Sequence, residues 1–519
     1  MRQATNLPAV QITVDGGLLP PAAHTTLASV RVARRLSVPA QCEIGFAVRP
    51  GIDVSKAAPI GATIDVSVVG DTGRLFDGQV TAHEWVHGAD GSAELRLRAY
   101  DGLHRLRKRQ RVVGREAVTA GDLAGELAAE AGLGAKVEHD GPRWPVLVQH
   151  RQTDLELLHE VAERAGLWFV AVDGDLCLFS LEGFGDTVEL ALHDTLLAAR
   201  FDASADPACR SVTVTGWDPV SAGDLTGEAG SARRGHDATA EVGPDAVGAD
   251  GERFLVDHPG PTADHLVATA QAELDRRVAR EVTLTGTAEG DARLHPGRAV
   301  RVTGCHADVA GTYVLTETIH SVDGSGYLAE LSSAPPPPPG PPPGAATTVG
   351  IVLSADDPDG LGRVRLALPG YGAVETDWRE VLVPGAGAGK GIVAIPDVDD
   401  RVLVLLPNGD PGASIVLGGL YGADRPVDPG IDGGAVKRWS MLTPGGQRVI
   451  LDDTKGSMVI ANRDGSSVVL TPEHVTVHAA ADLTIEAPGK TMTLRANRID
   501  FLQATSPEDP PVPVHEGVA

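Results

Sequence analysis

Apolar residues two positions apart recur along residues 447–503, near the C-terminal end of the sequence. Their spacing is about eight residues, which is typical of consecutive short strands. Turn-forming residues such as Asp464-Gly465 and Pro488-Gly489 lie between them. The pattern predicts a repeat of one strand and one turn, with one apolar and one polar face. The pairs are Val449/Leu451, Met458/Ile460, Val468/Leu470, Val475/Val477, Leu483/Ile485, Met492/Leu494 and Ile499/Phe501.

A single layer of short strands cannot bury its own apolar face, and it leaves its edges open. No helical segment that could cover this face follows in the sequence. We therefore expect several chains to associate around an axis with their apolar faces inward, and three chains give the smallest natural closure. The alternative interpretation is an ordinary small β-domain, which the regular step disfavours.

Residues 1–115 and 196–333 alternate between apolar and polar positions, as short strands do. Residues 1–115 predict a small β-barrel, and residues 196–333 predict a second barrel of similar make. The second barrel includes a helix from Thr262 to about Arg280. The Gly-, Ala-, Ser- and Asp-rich residues 218–250 predict a mobile surface loop.

Residues 116–195 predict an α/β insertion between the two barrels. One helix begins at Thr119 and stops at Gly132. A second begins with a capping box formed by Thr153 and Glu156, and Gly166 ends it. The sequence LWFVAVDGDLCLFS then predicts a hairpin with Asp-Gly in its turn.

The proline run at residues 334–346 predicts an extended spacer and the clearest domain boundary in the chain. Residues 347–422 offer five or six strands, which suits a small barrel of the oligonucleotide/oligosaccharide-binding (OB) type. The remaining segments are a neck at 423–446, the strand repeat at 447–503 and a tail at 504–519 that composition predicts to be disordered.

A net charge of −26 argues against general nucleic-acid binding and against docking on anionic membranes. The four cysteines, Cys42, Cys177, Cys209 and Cys305, have no metal-ligand spacing and indicate no disulfide framework. The N-terminal residues contain no apolar signal core, so we expect synthesis in the cytoplasm without a cleaved signal.

GAGAGKG at 385–391 fails the phosphate-loop pattern, since Pro384 and Gly391 occupy key positions. DDPDG at 356–360 lacks the first calcium ligand and predicts a tight turn. His474 and His478 could hold an axial metal ion, but solvent exposure is the favoured interpretation. No catalytic, cofactor-binding or metal residue is therefore predicted.

A basic cluster ends the first barrel, where it could contact an acidic neighbouring ring or form local ion pairs. Its residues are Arg105, Arg107, Lys108, Arg109 and Arg111.

The barrel sequence GIVLSADDPDGLGRVRLALPG, followed by VPGAGAGKGIVAIPDVDDRVLVLLPNGDPGASIVLGGLYG, resembles the OB barrel of VgrG and baseplate-V spike proteins from contractile injection machines. HRQTDLELLHEVAERAGLWFVAVDGDLCLF resembles the late-control-D type of phage tail hub. GQRVILDDTKGSMVIANRDG is similar to the start of the β-needle of these spikes. The matching barrel positions are Pro396, Val398, Val402, Gly409, Asp410, Pro411, Gly418 and Tyr421.

The resemblance implies a mainly β fold with two hub barrels carrying short helical insertions, an OB barrel and an intertwined trimeric β-helix or β-prism needle. It implies a homotrimer whose six hub barrels seat on the inner tube at the baseplate. Sheath contraction would then push the needle through a target envelope, in transient contact with its membrane. The implied partners are the inner tube ring, baseplate proteins, a conical PAAR-like tip protein and possible effector cargo.

This sequence has no lysozyme-like domain between barrel and needle, and no toxin domain follows the needle. We therefore expect a structural spike without enzymatic activity of its own. One alternative is a spike that carries hydrolase or effector activity, for which residues 423–446 are too short to hold a folded insert. The other is a carbohydrate- or nucleic-acid-binding OB protein, which would need exposed aromatic and basic residues that 347–422 largely lacks.

Overall fold

The computed structural model describes residues 9–71, 73–218, 223–233, 235–240, 242–248, 250–256, 258, 260–337, 340, 344–422, 425–426, 428–503 and 512–513. The fold is mainly β and divides into two compact units, residues 1–420 and 421–519. The larger unit therefore runs across the proline-rich segment. None of the helices within the described residues is long and apolar enough to cross a membrane.

The first β-domain is built from antiparallel strands around an apolar core. Alternating residues of each strand point inward, so that Val32, Ile44 and Leu97 are fully buried. Its elements are β1 (Val10–Val14), β2 (Gly17–Leu18), α1 (Pro21–His24), β3 (Leu27–Arg35), β4 (Gln41–Ala47), α2 (Val54–Ala57), β5 (Thr63–Val68), β6 (Arg74–His87) and β7 (Ala93–Tyr100).

The insertion confirms the local sequence signals. Thr119 caps α3 through a capping box with Asp122, and Gly132 ends it in the left-handed conformation. Thr153 and Glu156 form the predicted capping box of α4. The predicted hairpin turns at Asp173-Gly174, both with positive φ. The elements are β8 (Val113–Val118), α3 (Ala120–Ala131), β9 (Gly134–Val137), β10 (Trp144–Gln149), α4 (Asp154–Arg164), β11 (Trp168–Val172) and β12 (Asp175–Phe179).

The second β-domain contains the predicted long helix, α5. The prediction of a mobile loop at 218–250 is wrong for the described part, because 223–229 is a strand and His236 and Ala238 are buried. The elements are β13 (Val188–Ala191), β14 (Leu196–Ala203), β15 (Ser211–Asp218), β16 (Gly223–Ala229), β17 (Glu252–Leu255), α5 (Ala263–Val278), β18 (Val282–Glu289), β19 (Ala299–Thr303), β20 (Gly311–Val314), β21 (Glu317–Asp323) and β22 (Gly326–Ser332).

The two β-domains share one continuous sheet of 11 strands. Strand β21 of the second domain pairs antiparallel with β3 of the first, from Glu317 opposite Arg35 to Val322 opposite Val30. An ion pair of 2.7 Å between Arg35 and Glu317 lies at one end of this seam. The pairing fixes the two domains to each other through backbone hydrogen bonds.

The OB domain is a five-stranded sheet with a small core that includes Leu366, Val402 and Val404. It packs on the insertion: the rings of His150 and Tyr371 lie 5.1 Å apart. Its strands are β23 (Ala346–Ser354), β24 (Arg365–Leu368), β25 (Val374–Glu375), β26 (Arg401–Leu406) and β27 (Ile415–Leu420).

The second unit consists of a small hairpin and an antiparallel five-stranded sheet of consecutive strands, which we call the C-terminal sheet. The hairpin is β28 (Ile431–Asp432) and β29 (Ala435–Val436). The C-terminal sheet is β30 (Arg438–Leu442), β31 (Arg448–Asp452), β32 (Ser457–Ala461), β33 (Ser467–Leu470) and β34 (Val475–His478). Two short strands, β35 (Leu502–Gln503) and β36 (Val512–Pro513), pair with each other farther along.

Candidate functional site

One face of the C-terminal sheet is made entirely of apolar side chains. The strand register aligns them in two rows of five across the sheet, and most of them are exposed: Val475, for example, is 72% exposed. We call this surface the apolar face. Its rows are Trp439, Leu451, Met458, Leu470 and Val475, and Met441, Val449, Ile460, Val468 and Val477.

Sequence reasoning missed the first strand of this sheet, because residues 423–446 were interpreted as a Pro- and Gly-rich neck. Strand β30 pairs with β31 and adds Trp439 and Met441 to the apolar face, 72% and 63% exposed. The alternation Arg438-Trp439-Ser440-Met441 was the available signal. The sheet therefore begins about one strand earlier than the repeat predicted.

The opposite face of the sheet is mixed rather than polar throughout. Its central row holds Ile450, Val459 and Val469, which are half-buried. Polar and charged side chains flank this row, including Arg448 and Ser467. The outer rows of this face carry most of its polar and charged side chains, whereas both rows of the apolar face are apolar throughout.

The last part of the predicted repeat forms no strand in the single chain. Between Ala479 and Phe501, all of which the structure describes, no residue is in a strand. Its predicted apolar pairs are nevertheless exposed, with Ile485 at 68% and Leu494 at 64%. The backbone groups of this segment have few hydrogen-bond partners among the described residues.

The 11-stranded sheet, which we call the hub sheet, contains the same four-strand arrangement twice. In the first β-domain the order is β3-β4-β7-β6, and in the second it is β14-β18-β22-β21. In both sets the first strand is irregular near its start: the register shifts between Leu27 and Ser29 in β3 and between Leu196 and Ala198 in β14. The seam joins the last strand of the second set to the first strand of the first set.

This arrangement leaves two matching strand edges open. Strand β6 pairs with β5 from Arg74 as far as Gln79 and no farther. Among the described strands, its second half, Thr81–His87, therefore has β7 alone as partner. Strand β14 has β18 as its one partner strand within the described residues. Trp85 lies on the open half of β6 and is 57% exposed. Exposed edges of this kind invite pairing with another strand.

The basic cluster at 105–111 forms local contacts. Arg109 and Arg111 both pair with the buried Asp154, at 2.8 and 3.3 Å, and with Glu130. Arg105 donates to the carbonyl oxygen of Ala131 at 2.7 Å. The Gln149 amide and Arg109 lower the pKa of Asp154 against the opposing effect of burial. The basic cluster had two interpretations, a contact with an acidic neighbouring ring or local ion pairs. The contacts of Arg109 and Arg111 are local ion pairs.

The glycine-rich segment GAGAGKG and the acidic segment DDPDG, which were candidates for phosphate and calcium binding, are both turns. Residues 385–391 form an exposed loop in which Gly385 and Gly389 adopt positive φ. In DDPDG, the Asp357 carboxylate accepts from Arg363 at 2.7 Å and from the backbone N–H of Leu361 at 3.0 Å. The Arg363 guanidinium holds the pKa of Asp357 below its usual range. Asp357 is thus occupied in closing its own loop.

His474 and His478 are exposed. Across the described residues, no group of three or more His, Cys, Asp or Glu side chains is arranged to hold a metal ion. Asp452 is buried and accepts from the N–H of Lys455 at 3.0 Å, which closes the turn after β31. The structure therefore presents extended strand edges and an apolar sheet face as its candidate functional surfaces.

This chain combines a duplicated β-domain, an OB domain and a C-terminal strand repeat. Residues 33–326 match the family model described as the phage tail baseplate hub (GPD). Residues 348–421 match the model of the type VI secretion system/phage-baseplate injector OB domain. Since the hub model spans more than half of the chain, this protein belongs to the phage tail baseplate hub family.

Solved structures share this fold. The Escherichia coli c3393 protein, described as a component of the type VI secretion system, is 14% identical with a TM-score of 0.52, and the alignment covers 79% of this chain and 99% of that one. A VgrG complex with PdpA from Francisella is 8% identical with a TM-score of 0.55, covering 90% and 87%. No relative among functionally curated proteins matches the sequence. The role supported is that of a phage tail baseplate hub protein that also carries an injector OB domain.

Proposed function

We propose that three copies of this chain assemble into a hub and spike, which seats on the inner tube at the baseplate and punctures a target envelope when the sheath contracts. The observation that carries the proposal is the apolar face of the C-terminal sheet, ten aligned apolar side chains of which eight are exposed in the single chain. Exposed apolar patches of this size mark interaction surfaces.

Burial of this face supplies a large driving force. Fully burying one aliphatic or Met side chain is worth about 1.5–3 kcal/mol, so covering side chains that are already about half-buried gives on the order of 1 kcal/mol each. The ten side chains of one chain then contribute on the order of 10 kcal/mol before the cost of ordering the partners. If the apolar faces of three chains turn toward one axis, the side chains of all three faces are buried equally. The result is a closed rod with threefold cyclic symmetry, as is usual for homo-oligomers.

The open edges of the hub sheet support the same threefold assembly. Within one chain, the seam joins the fourth strand of one set to the first strand of the other. The same junction between chains would pair the open half of β6 with β14 of the next copy. When the two four-strand sets are aligned at the register shifts of β3 and β14, Trp85 of one chain lies opposite Phe201 of the next copy. Three chains would then form a ring of six similar β-domains, suited to an inner tube with sixfold symmetry.

The mechanism is mechanical. The hub ring couples the spike to the tube, the OB domains align three C-terminal segments, and the rod transmits the force of contraction. The partners are the inner tube ring, baseplate proteins, a PAAR-like tip protein at the end of the rod and possible effector cargo. The protein assembles into the particle baseplate and reaches the target with it, and none of its residues is assigned a catalytic role.

The test is the native mass of the full-length chain in solution, measured by light scattering, together with a matched pair of variants. We expect a trimer that Val477→Glu dissociates and Thr476→Glu leaves intact. The two residues are neighbours in β34, but only Val477 belongs to the apolar face. A stable wild-type monomer, or equal behaviour of the two variants, would contradict the proposal.

The hub junction has its own test, a cysteine cross-link. The matched irregularities place Glu84 opposite Asp202 of the next copy, and both side chains are exposed. We expect the double variant Glu84→Cys/Asp202→Cys to form covalent dimers and trimers under mild oxidation, whereas each single variant stays monomeric on a denaturing gel. Cross-linking by the single variants, or none by the double variant in a trimeric sample, would exclude this register.

A further inference from the structure

The glycine-rich segment of the OB domain forms a loop that the rest of its chain leaves uncovered. Every residue from 384 to 394, which we call the projecting loop, is exposed. The loop turns where the N–H of Lys390 donates to the carbonyl oxygen of Gly387 at 3.1 Å. Val393 is 81% exposed, the highest value among the large apolar side chains of the described residues, and its neighbour Ile392 is 58% exposed. The loop therefore presents two apolar side chains and one charge to its surroundings.

Lys390 carries the positive charge of this loop. It is the only lysine between residues 347 and 422, and it has neither an ion pair nor a side-chain hydrogen bond within the part of the chain that the structure describes. Gly389 and Gly391 flank it, so its chain neighbours add no side chain beside its ammonium group. Because the chain has a net charge of −26, copies of it repel one another as a whole. A free lysine on an exposed loop is suited to a contact that works against this repulsion.

Two acidic turns of the same domain lie side by side. The N–H of Asp399 donates to the carbonyl oxygen of Val352 at 2.9 Å, and the N–H of Val352 donates to the carbonyl oxygen of Asp400 at 3.0 Å. These bonds hold the turn before β26 against the end of β23, which Asp356 follows. The side chains of Asp356 and Asp399 are exposed, and their carboxylates have no hydrogen-bond or ion-pair partner among the described residues.

Exposed apolar side chains accompany these acids. Leu353, near the end of β23, is 39% exposed, and Val398 in the neighbouring turn is 49% exposed. We call Leu353, Asp356, Val398 and Asp399 the acidic corner. It combines apolar and negatively charged groups, whereas the projecting loop combines apolar and positively charged groups. The two surfaces are therefore complementary in both hydrophobicity and charge.

We propose that the projecting loop of one copy docks on the acidic corner of the next copy. Lys390 pairs there with Asp356 or Asp399, and Val393 covers the apolar part of the corner. The inference rests on the proposed trimer and assigns the contact through which its OB domains hold one another. Head-to-tail contacts of this kind close into a ring when each copy is rotated by one third of a turn. Three copies then use three loops and three corners, so neither surface is left over.

The occupant of the corner is a second copy, because both halves of the contact lie on the same domain. No ion pair or hydrogen bond joins the loop to the corner within one chain among the described residues. Burial of Val393 supplies most of the affinity, since exposed ion pairs alone contribute little. The charges decide which surfaces meet.

The first experiment links neighbouring amines and carboxylates of the full-length protein with a zero-length carbodiimide and maps the links by mass spectrometry. We expect bands of two and three chains on a denaturing gel, in which Lys390 is joined to Asp356 or Asp399. Lys390→Gln should lose this link, and its bands of two and three chains should weaken. Lys136→Gln is the matched control, because Lys136 pairs with Asp175 of its own chain at 2.8 Å, and it should leave the bands unchanged.

The second experiment tests the apolar part of the contact by light scattering on dilution, in urea that half-dissociates the wild-type trimer. Val393→Asp places a carboxylate against the acidic corner and should raise the trimer dissociation constant by at least about tenfold. Val256→Asp is the matched control, because Val256 is 74% exposed and lies beyond β17, outside every surface proposed to meet another copy. That variant should dissociate as the wild type does, and circular dichroism checks the fold of both.

The outcomes separate this contact from the trimer itself. A trimer in which Lys390 is linked to neither acid, or is linked only within single chains, would overturn the inference and leave the proposed trimer standing. Equal dissociation of the Val393→Asp and Val256→Asp variants would overturn it as well. A wild-type chain that is monomeric by light scattering would remove the proposed trimer and this contact together.

Discussion

The first β-domain and the C-terminal sheet are both antiparallel and both rich in Val, Leu and Ile, but they treat their apolar residues in opposite ways. In the first, Val32, Ile44 and Leu97 are fully buried within their own chain. In the second unit, Ala461 is the one buried apolar side chain that the structure describes. The difference separates a domain that folds on its own core from a sheet whose apolar face stays uncovered within its own chain.

The comparison shows that composition alone does not tell these two cases apart. What separates them is the number of layers. The β-domain closes its sheet over its inward side chains, whereas five consecutive strands in one layer leave both faces open. Four tests can break or sharpen this distinction.

The largest effect is expected from deleting residues 421–519, the whole second unit. The remaining chain should keep a cooperative thermal transition, because its cores lie within residues 1–420. At micromolar concentration it should shift from trimer toward monomer by light scattering. A truncated chain that aggregates would contradict an independent hub, and one that stays fully trimeric would show that the hub edges suffice for assembly.

The next test compares one residue from each region. Leu97→Ala should destabilise the first β-domain by about 2–5 kcal/mol, since it opens a cavity in a filled core. Val475→Ala, at a side chain that is 72% exposed in the single chain, should change the unfolding of the hub by less than about 0.5 kcal/mol. It should instead weaken trimer formation. Denaturant titration at two protein concentrations measures both effects, and equal hub destabilisation would abolish the contrast.

Acid should affect the hub more than the C-terminal sheet. Burial lowers the pKa of His320 to about 4 and that of His295 to about 3. It lowers the pKa of His104 and His265 to about 4 as well. These folded values lie below the usual value near 6.5, so the unfolded chain binds more protons in that interval, and stability falls as the pH drops from about 6.5 toward 4.

One buried acid opposes this trend. Burial raises the pKa of Asp101 to about 7, so its contribution to stability grows as the pH falls below 7. Burial also raises the pKa of Asp77 and Asp275. The four histidines should prevail, and the hub transition should lie lower at pH 5 than at pH 7.5. A transition that rises on acidification would show that the acids dominate.

The smallest effect concerns the caps of the insertion helices. Thr153→Ala removes the side chain that accepts from the Glu156 N–H and should cost about 1 kcal/mol. Thr476→Ala, in the C-terminal sheet, is the control, because Thr476 is exposed there. Thermal unfolding of the hub should register the first change and not the second.

Local features of this fold could be predicted from the sequence because their causes are local. The capping residues Thr119 and Thr153, and the Asp173-Gly174 turn, each act on neighbours a few positions away. Four of the five OB strands (β23, β24, β26 and β27) and four of the seven repeat pairs were also found where the alternation of residues predicted them, whereas residues 376–397 contain only isolated β-bridges.

Features that depend on distant or external partners could not be predicted in this way. The seam between β3 and β21 joins residues 282 positions apart, and no pattern within either strand specifies the other. Strand β30 was missed since it is short and follows a turn-rich segment.

The seam also has a consequence for how the chain is made. Strand β3 ends at Arg35, but its partner β21 is not synthesised until residue 317 and beyond. At a typical synthesis rate of about 5–20 residues per second, the edge of β3 stays open for roughly 15–60 seconds. During this time it is a template for wrong pairing with other nascent chains. Efficient production should therefore depend on nascent chains that are well separated from one another or on chaperones that shield this edge, and temperature during expression should affect yield more than the final stability does.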